Sequence, residues 1–378
     1  MDNTLRAADT FAVEGTSFAV ATVVSTFASA PRLPGSSMLV TPGGRVVGSV
    51  SGGCVDGAVL TACQVSMDTG SASLETFGVD DEAAFSIGLS CGGSIDVFVE
   101  PPSADLSEVM VSLAEQVERK TPVVLATVID VDNGTYSGLH GLYGLDGAMR
   151  PTGVDRLDDL VLMDVPKTLR EAEAVVRTYD MTDTDGDHQS IRVLLSPYVG
   201  PPRLLLFGSN DFSAALTRVG KHLGYHVTLV DARPVFTTPE RYPEADEVVV
   251  QWPHRYLEDQ LAKNLIDERS MLCVFTHDMK FDIPLLSLAL RNPRIGYIGA
   301  MGSRSTHQRR TEMLQEAGVS DKELAKLHSP IGLDLGGRTP EQASISIAAE
   351  MIAHFNGGAY GPLRDTDNPI HRPSEQLE

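Results

Sequence analysis

The sequence predicts an α/β protein in which an N-terminal α+β domain, residues 1–200, precedes a C-terminal domain, residues 201–378, built on a doubly wound parallel sheet. Three observations predict it. A chain of 378 residues exceeds one ordinary hydrophobic core, so two domains are expected. In the second half, short apolar runs alternate with amphipathic segments of helical period, the pattern of buried strands joined by helices. The first half has hairpin-like apolar runs and fewer, separate helices, which is an α+β arrangement.

In chain order, the first half reads as strand "FAVATVVSTF", hairpin "SSMLVTPGGRVVGSV", helix "VDGAVLTACQVSM", strand "SIDVFVE", helix "DLSEVMVSLAEQVERK" and strand "PVVLATVI". The boundary falls in "LLSPYVGPPRLLLFGSND". There Pro197, Gly200, Pro201 and Pro202 separate two apolar strands, and proline cannot donate to a sheet ladder. Beyond it come strand "RLLLFG", helix "DFSAALTRVGKHLG", strands "HVTLVD" and "ADEVVV", helix "LEDQLAKNLIDE", strand "MLCVFTHD", helix "IPLLSLALRN" and strand "RIGYIGAM". A last helix opens with Thr339 as N-cap, Pro340 at its first position and Gln342 completing a capping box. Gly336 and Gly337 just before it permit a sharp turn or close approach to a ligand.

Composition narrows the function. A formal net charge of -21, from 51 acidic and 30 basic residues, works against electrostatic capture of nucleic acid or anionic lipid. The ligand is expected to be small. No basic-then-apolar leader and no run approaching 18 apolar residues is present, so a cytoplasmic protein without a membrane partner is expected. The cysteines at 54, 63, 91 and 273 lack Cys-x-x-Cys spacing and read as separate thiols rather than a metal or disulfide framework. "DTDGD", Asp183 to Asp187, resembles the start of a calcium loop, but Leu194 stands where the closing Glu is needed. It reads as a solvated acidic turn.

The turn after "RLLLF" is where a Rossmann unit carries Gly-x-Gly-x-x-Gly, and here only Gly208 of that set is present. Asp231 ends the next strand near the position of a ribose-binding acid, whereas Asp211 would put a carboxylate where pyrophosphate should sit. NAD(P) binding is therefore doubtful. His277 and Asp278 end one strand and Gly302, Ser303 and Arg304 end the next, at the edge where open α/β sheets bind ligands. A lone His-Asp pair is more often a helix cap or loop network than a catalytic dyad. Arg304 beside a helix start suits an anion, and equally a surface position. Cys54 follows Gly52 and Gly53 at the opening of a helix, where N–H groups favour thiolate. Cys91 has a similar setting before Gly92 and Gly93, while Cys63 and Cys273 read as small buried hydrophobes.

Together, "VVSTFASAPRLPGSSMLVTPGGRVVGSVSGGCVDGAV", "GLSCGGSIDVFVEP", "HVTLVDARPVFTTPERYPEADEVV", "FTHDMKFDIPLLSLAL", "YIGAMGSR" and "PIGLDLGGRTPEQASISIAAEM" occur in an order that resembles the XdhC/CoxI family of molybdenum-cofactor maturation proteins. The resemblance covers most of the chain. It implies a cofactor-handling domain followed by a Rossmann domain. It also implies that the protein binds and protects molybdenum cofactor and assists its sulfuration and insertion into a xanthine dehydrogenase-type hydroxylase, with a cysteine desulfurase as second partner. Cys54 becomes the leading functional thiol and Cys91 its companion, with molybdenum contact by Cys54, sulfur relay and shaping of the pocket all open as roles. Gly52, Gly53, Asp56, Gly92 and Gly93 surround them, and His277, Asp278, Gly302, Ser303, Arg304, Gly336 and Gly337 supply polar or glycine-opened positions for the cofactor. Asp56 stands where the family commonly has Glu. A homodimer is compatible with this picture.

Two other readings stand beside it. One is an NAD(P)-dependent oxidoreductase with His277 as acid or base; the other is a redox sensor in which Cys54 and Cys91 come close enough to bond. With four cysteines the chain lacks the ligands for the iron–sulfur clusters of xanthine dehydrogenase itself, so a maturation chaperone without turnover is expected rather than that enzyme.

Overall fold

The structure is a computed structural model that describes residues 3–27, 32–78, 93–131, 135–154, 156–182 and 188–366. They divide into two compact units on either side of Gly200 and Pro201.

The first unit opens with helix α1 (Asn3–Val13), strands β1 (Ala19–Phe27), β2 (Ser37–Val40) and β3 (Val46–Gly48), and helix α2 (Asp56–Thr69). Strands β4 (Ser73–Phe77) and β5 (Ser94–Glu100) complete an antiparallel sheet ordered β3-β2-β1-β5-β4. Helix α3 (Ala104–Glu118) leads to a second antiparallel sheet, ordered β8-β7-β6-β10-β9. Its strands are β6 (Val123–Val131), β7 (Thr135–Gly144), β8 (Gly147–Arg150), β9 (Val175–Thr182) and β10 (His188–Tyr198), with helix α4 (Leu157–Glu171) inserted before β9.

Alternation along each strand distributes the core. On β1, Ala19, Ala21 and Val23 pack with Val55, Val59 and Cys63 at the α2 face, while Val20 joins Phe11 of α1 and Leu106, Val109 and Leu113 of α3. Val24 and Phe98 of the first sheet meet Ile129 and Leu194 of the second. On the far face of that second sheet, Val124, Ala126, Val128 and Val193 bury α4 through Leu157, Val161 and Val165. Each sheet is thus covered on both faces.

The second unit contains β11 (Arg203–Phe207), α5 (Asp211–His222), β12 (His226–Asp231), β13 (Glu247–Val250), α6 (Pro253–Ala262), β14 (Met271–Val274) and α7 (Met279–Leu290). It continues through β15 (Tyr297–Ala300), α8 (Arg304–Glu316), α9 (Asp321–Leu324), β16 (Leu327–His328) and α10 (Pro340–Phe355). All strands run parallel in the order β13-β12-β11-β14-β15-β16, the order of a Rossmann sheet. Leu204 and Leu206 of β11 pack toward α5 and α10, and Leu205 and Phe207 toward α6 and α7, so these strands are apolar on both faces. The expected capping box of the last helix is present, with Thr339 and Gln342 exchanging hydrogen bonds. The acidic turn Asp183–Asp187 lies outside the described residues.

A buried charge cluster joins the two sheets of the first unit. His140 of β7, 1% exposed, has Nδ1 2.9 Å from Asp105 of α3 and Nε2 3.0 Å from Glu100 at the end of β5. The second contact is an ion pair whose angle falls outside hydrogen-bond geometry. Arg150 of β8 pairs with Asp105 and donates to the His140 carbonyl. Gly138, at φ +61°, is fixed by this arrangement, since a Cβ there would stand 2.9 Å from a Glu100 oxygen. Burial disfavours a charged imidazole, but the carboxylates of Glu100 and Asp105 outweigh it and raise His140 to about 9. The hydrogen bond from His140 is the largest influence holding Asp105 down at about 2.

The raised His140 contributes stability that is complete below its ordinary pKa of 6.5 and disappears as pH climbs through about 9, a loss of roughly 3 kcal/mol. Calorimetric melting of the wild type should therefore show the first unit weakening across that interval, and His140→Gln should flatten the dependence. Asp105 acts in the opposite sense, its contribution fading only as pH falls through about 2.

Candidate functional site

The segment Ser49–Asp56 is a closed loop organised by its own acid. The Asp56 carboxylate accepts from the Ser49 hydroxyl at 2.6 Å, the Ser51 hydroxyl at 2.7 Å, and the N–H groups of Ser51 and Val50 at 3.0 and 3.2 Å. Ser51 Oγ in turn accepts from Val55 N–H, and Ser49 Oγ from Gly52 N–H. Burial opposes ionisation of Asp56, but these bonds prevail and hold it below the usual carboxylate range. Gly52 and Gly53 have φ of +70° and +115° with open space around them, so the backbone path rather than crowding requires glycine. Cys54 comes out of this turn exposed and in no disulfide. Val55, the N-cap of α2, makes no side-chain capping hydrogen bond, and the acidic Asp56 occupies the first turn.

In the second unit, the turn after β11 is closed where a dinucleotide would enter. The Asn210 side chain accepts from Phe212 and Ser213 N–H at 3.1 Å each, forming a capping box with Ser213. Those are groups a pyrophosphate would use. Asp231, 2% exposed, is equally committed: it accepts from Ser209 N–H at 2.8 Å and is held by Arg233 at 2.7 Å. Despite burial, Arg233 and the two backbone donors keep its carboxyl low. Asp211 occupies the first helical turn and is exposed, a position favourable with the helix dipole.

The ends of β14 and β15 are fastened by a buried pair. Arg310 of α8 and Asp282 of α7 are both fully buried and 2.9 Å apart. Arg310 also donates to the Met301 carbonyl just past β15 at 2.9 Å and to Ser329 at 3.2 Å, and Thr276 past β14 donates to Asp282. Burial raises the Asp282 carboxyl, with Thr276 and Arg310 pulling against it. The guanidinium keeps its proton, so Asp282 faces a fixed positive charge that opposes the effect of burial.

This frame brings His277 and Asp278 to the same end of the sheet as Gly302, Ser303 and Arg304, because β14 and β15 are neighbours. Asp278 caps α7, accepting from Lys280 N–H, and pairs with the Lys280 ammonium at 2.9 Å. The capping alternative thus describes Asp278, while His277 is exposed. Ser303 caps α8 by accepting from Thr306 N–H, and Arg304 is exposed beside it. Gly302, at φ +152°, faces Thr306 at 3.1 Å from a would-be Cβ. Ile331 N–H bonds the Ala300 carbonyl, so the segment carrying Gly336 and Gly337 leaves from this same end. Gly336 has open space, whereas a Cβ on Gly337 would stand 2.8 Å from Gln342.

Cys91 and Gly92 lie outside the described residues, and Gly93 is buried at the approach to β5. Cys63 and Cys273 are buried, as expected, and burial pushes the Cys63 thiol up to about 12 and Cys273 up as well. Sequence reasoning missed Asn210 and the Asp282–Arg310 pair. An Asn directly before a helix was the available signal for the first; a charged residue inside the polar run "STHQRR" offers none for the second. Among the described residues no group of three His, Cys, Asp or Glu side chains could hold a metal ion, and no helix is long and apolar enough to cross a membrane.

Fold and site define a two-unit α/β protein with a Rossmann-type second unit and a thiol-bearing antiparallel first unit. The chain belongs to the XdhC and CoxI family: residues 204–351 match the model described as the XdhC Rossmann domain, and residues 12–78 that of the XdhC and CoxI family. A Bacillus subtilis protein whose name makes it a probable xanthine dehydrogenase subunit is 26% identical over 338 residues, spanning 88% of this chain and 92% of its own. The Escherichia coli molybdenum cofactor insertion chaperone PaoD is 23% identical over 347 residues, 91% of this chain and 86% of its own. A crystal structure of a Bacillus halodurans protein described as a xanthine dehydrogenase shares the fold, with a TM-score of 0.67, 21% identity and coverage of 97% of this chain and 98% of that one.

Two outcomes are expected. NAD and NADP should bind no more tightly than about 1 mM by calorimetry, because the helix start and the acid are both occupied internally; micromolar affinity would contradict this. Arg310→Leu should cost about 3–5 kcal/mol in unfolding free energy, since it strands a buried carboxylate, whereas replacing Asp282 and Arg310 together with apolar residues should cost less than either single change.

Proposed function

We propose that the protein binds molybdenum cofactor, shields it, and assists its sulfuration and insertion into a xanthine dehydrogenase-type molybdenum hydroxylase. The observation that carries this reading is Cys54, an exposed thiol set immediately before an uncapped helix start on a loop locked by Asp56. A holder of a pyranopterin needs a soft or hydrogen-bonding group near the dithiolene and molybdenum, and donors for the phosphate. The thiol answers the first need, and Arg304 at the start of α8 is the candidate for the second. The names of the Bacillus subtilis and Escherichia coli relatives support the same assignment. Cys91 and the glycine-opened helix start at Gly336 and Gly337 remain further candidates for cofactor contact.

In this reading the chain performs no turnover of its own. A cysteine desulfurase supplies sulfur, the client enzyme receives the finished cofactor, and Cys54 contacts or relays. The oxidoreductase alternative is disfavoured by the Asn210 cap and by the commitment of Asp231 to Ser209 and Arg233.

Anaerobic titration of the purified protein with molybdenum cofactor tests the proposal, with NAD as comparison. Cys54→Ser should fold normally and lose at least tenfold in cofactor retention or sulfuration, because a hydroxyl supplies no thiolate at neutral pH. Unchanged loading of that variant would remove Cys54 from the mechanism, and failure of the wild type to bind the cofactor would sink the proposal. Cys63→Ser should instead lower the melting temperature without touching cofactor retention.

A further inference from the structure

Trp252 is the chain's single tryptophan, and it is 44% exposed. It directly follows Gln251, whose N–H bonds the carbonyl of Asp231 at the end of β12, so it stands at the carboxyl end of the parallel sheet. That is where open α/β sheets receive ligands. It is the N-cap residue of α6 but makes no side-chain cap, so the indole is not spent on holding the helix.

The ring is nevertheless held in place. Phe281, from the first turn of α7 and only 9% exposed, packs against it with centroids 5.0 Å apart and planes inclined by 58°. His254 approaches at 6.0 Å, nearly edge-on at 75°. Lys280 sits over Phe281 at 4.7 Å while pairing with Asp278, and the exposed His277 belongs to the same strand end. On the loop after the neighbouring strand β12, the exposed Phe236 has Arg233 and Arg241 at 5.1 and 5.7 Å from its ring. An indole packed against two other rings yet 44% exposed, at the carboxyl end of a parallel sheet, has the properties of a stacking surface for a flat heteroaromatic molecule.

We propose that Trp252, backed by Phe281, is the platform on which the planar heteroaromatic ring of the cargo stacks. Resting on the cofactor reading above, that ring is the pterin. The interaction is made with a π-face, so it tolerates changes in molybdenum ligation and sulfuration that alter the other end of the cofactor.

Calorimetric titration with free pterin tests it, with adenosine as the other flat heterocycle and tryptophan emission as a report on contact with this one ring. Wild type should bind pterin with quenched emission. Trp252→Ala should weaken binding at least tenfold and Trp252→Phe less than about threefold, with both variants keeping a cooperative thermal unfolding transition. Equal pterin affinity in wild type and Trp252→Ala, no pterin binding by wild type, or binding heat without an emission change overturns the platform. Adenosine bound in preference to pterin overturns the pterin assignment. Titrating Trp252→Ala with whole molybdenum cofactor separates the two levels. Retention equal to wild type overturns the platform and leaves the cofactor reading standing, whereas a wild type that stacks pterin but holds no cofactor overturns that reading and leaves the platform.

Discussion

The ion pair between Asp282 and Arg310 is the constraint on which the second unit's working end depends. Both side chains have left water entirely, and the guanidinium spreads its donors over Asp282, the Met301 carbonyl and Ser329 while Thr276 fills the remaining carboxylate position. Two charges removed from water are tolerable when hydrogen bonds replace their hydration, as the contacts to Met301, Ser329 and Thr276 do here. The segments leaving three successive strands, β14, β15 and β16, are therefore referred to one guanidinium. The positions of His277, Ser303 and Arg304 follow from it, although none of them touches it directly.

The first unit uses charge in a related way at a different place. Glu100, Asp105, His140 and Arg150 come from β5, α3, β7 and β8, so the cluster binds one sheet to the other through the helix between them. Cys54 rests on a smaller version of the device, in which one carboxylate collects the hydroxyls and N–H groups of a tight turn. In both places hydrogen bonds to an acid fix the local backbone, and at the Asp56 loop the exposed Cys54 is carried by that fixed turn.

How far this was legible from sequence follows from the length scale of each signal. The parallel sheet was legible because its central strands are buried on both faces, as "RLLLF" and "MLCV" declare, and the helices between carry an apolar stripe. Strands β1, β2 and β5 were legible for similar reasons, and β3 as the return arm of a hairpin. Most of the second sheet was not: β7 reads "TYSGLHGLYG", whose glycines and histidine hide a strand that exists because of its neighbours and the His140 cluster. At the site, the glycine pair before Cys54 and the position of Asp231 were visible, but the partners that decide their roles are not local. Ser209 lies 22 positions from Asp231, and Arg310 lies 28 from Asp282. No windowed pattern records such a pairing.

Gly208 shows what this means for motif reading. A Cβ there would stand 2.8 Å from the Thr276 nitrogen and 2.9 Å from the Phe275 carbonyl carbon, because the end of β14 passes against the turn after β11. The residue is therefore glycine for a reason internal to the sheet, with φ of +114° reinforcing it. Two demands, strand crossing and phosphate approach, fall on one position in a Rossmann turn, and only the second depends on a ligand. The steric demand holds at Gly208 whether or not a ligand is bound, so the first glycine is a signature of the architecture and the later ones of the fingerprint belong to phosphate approach.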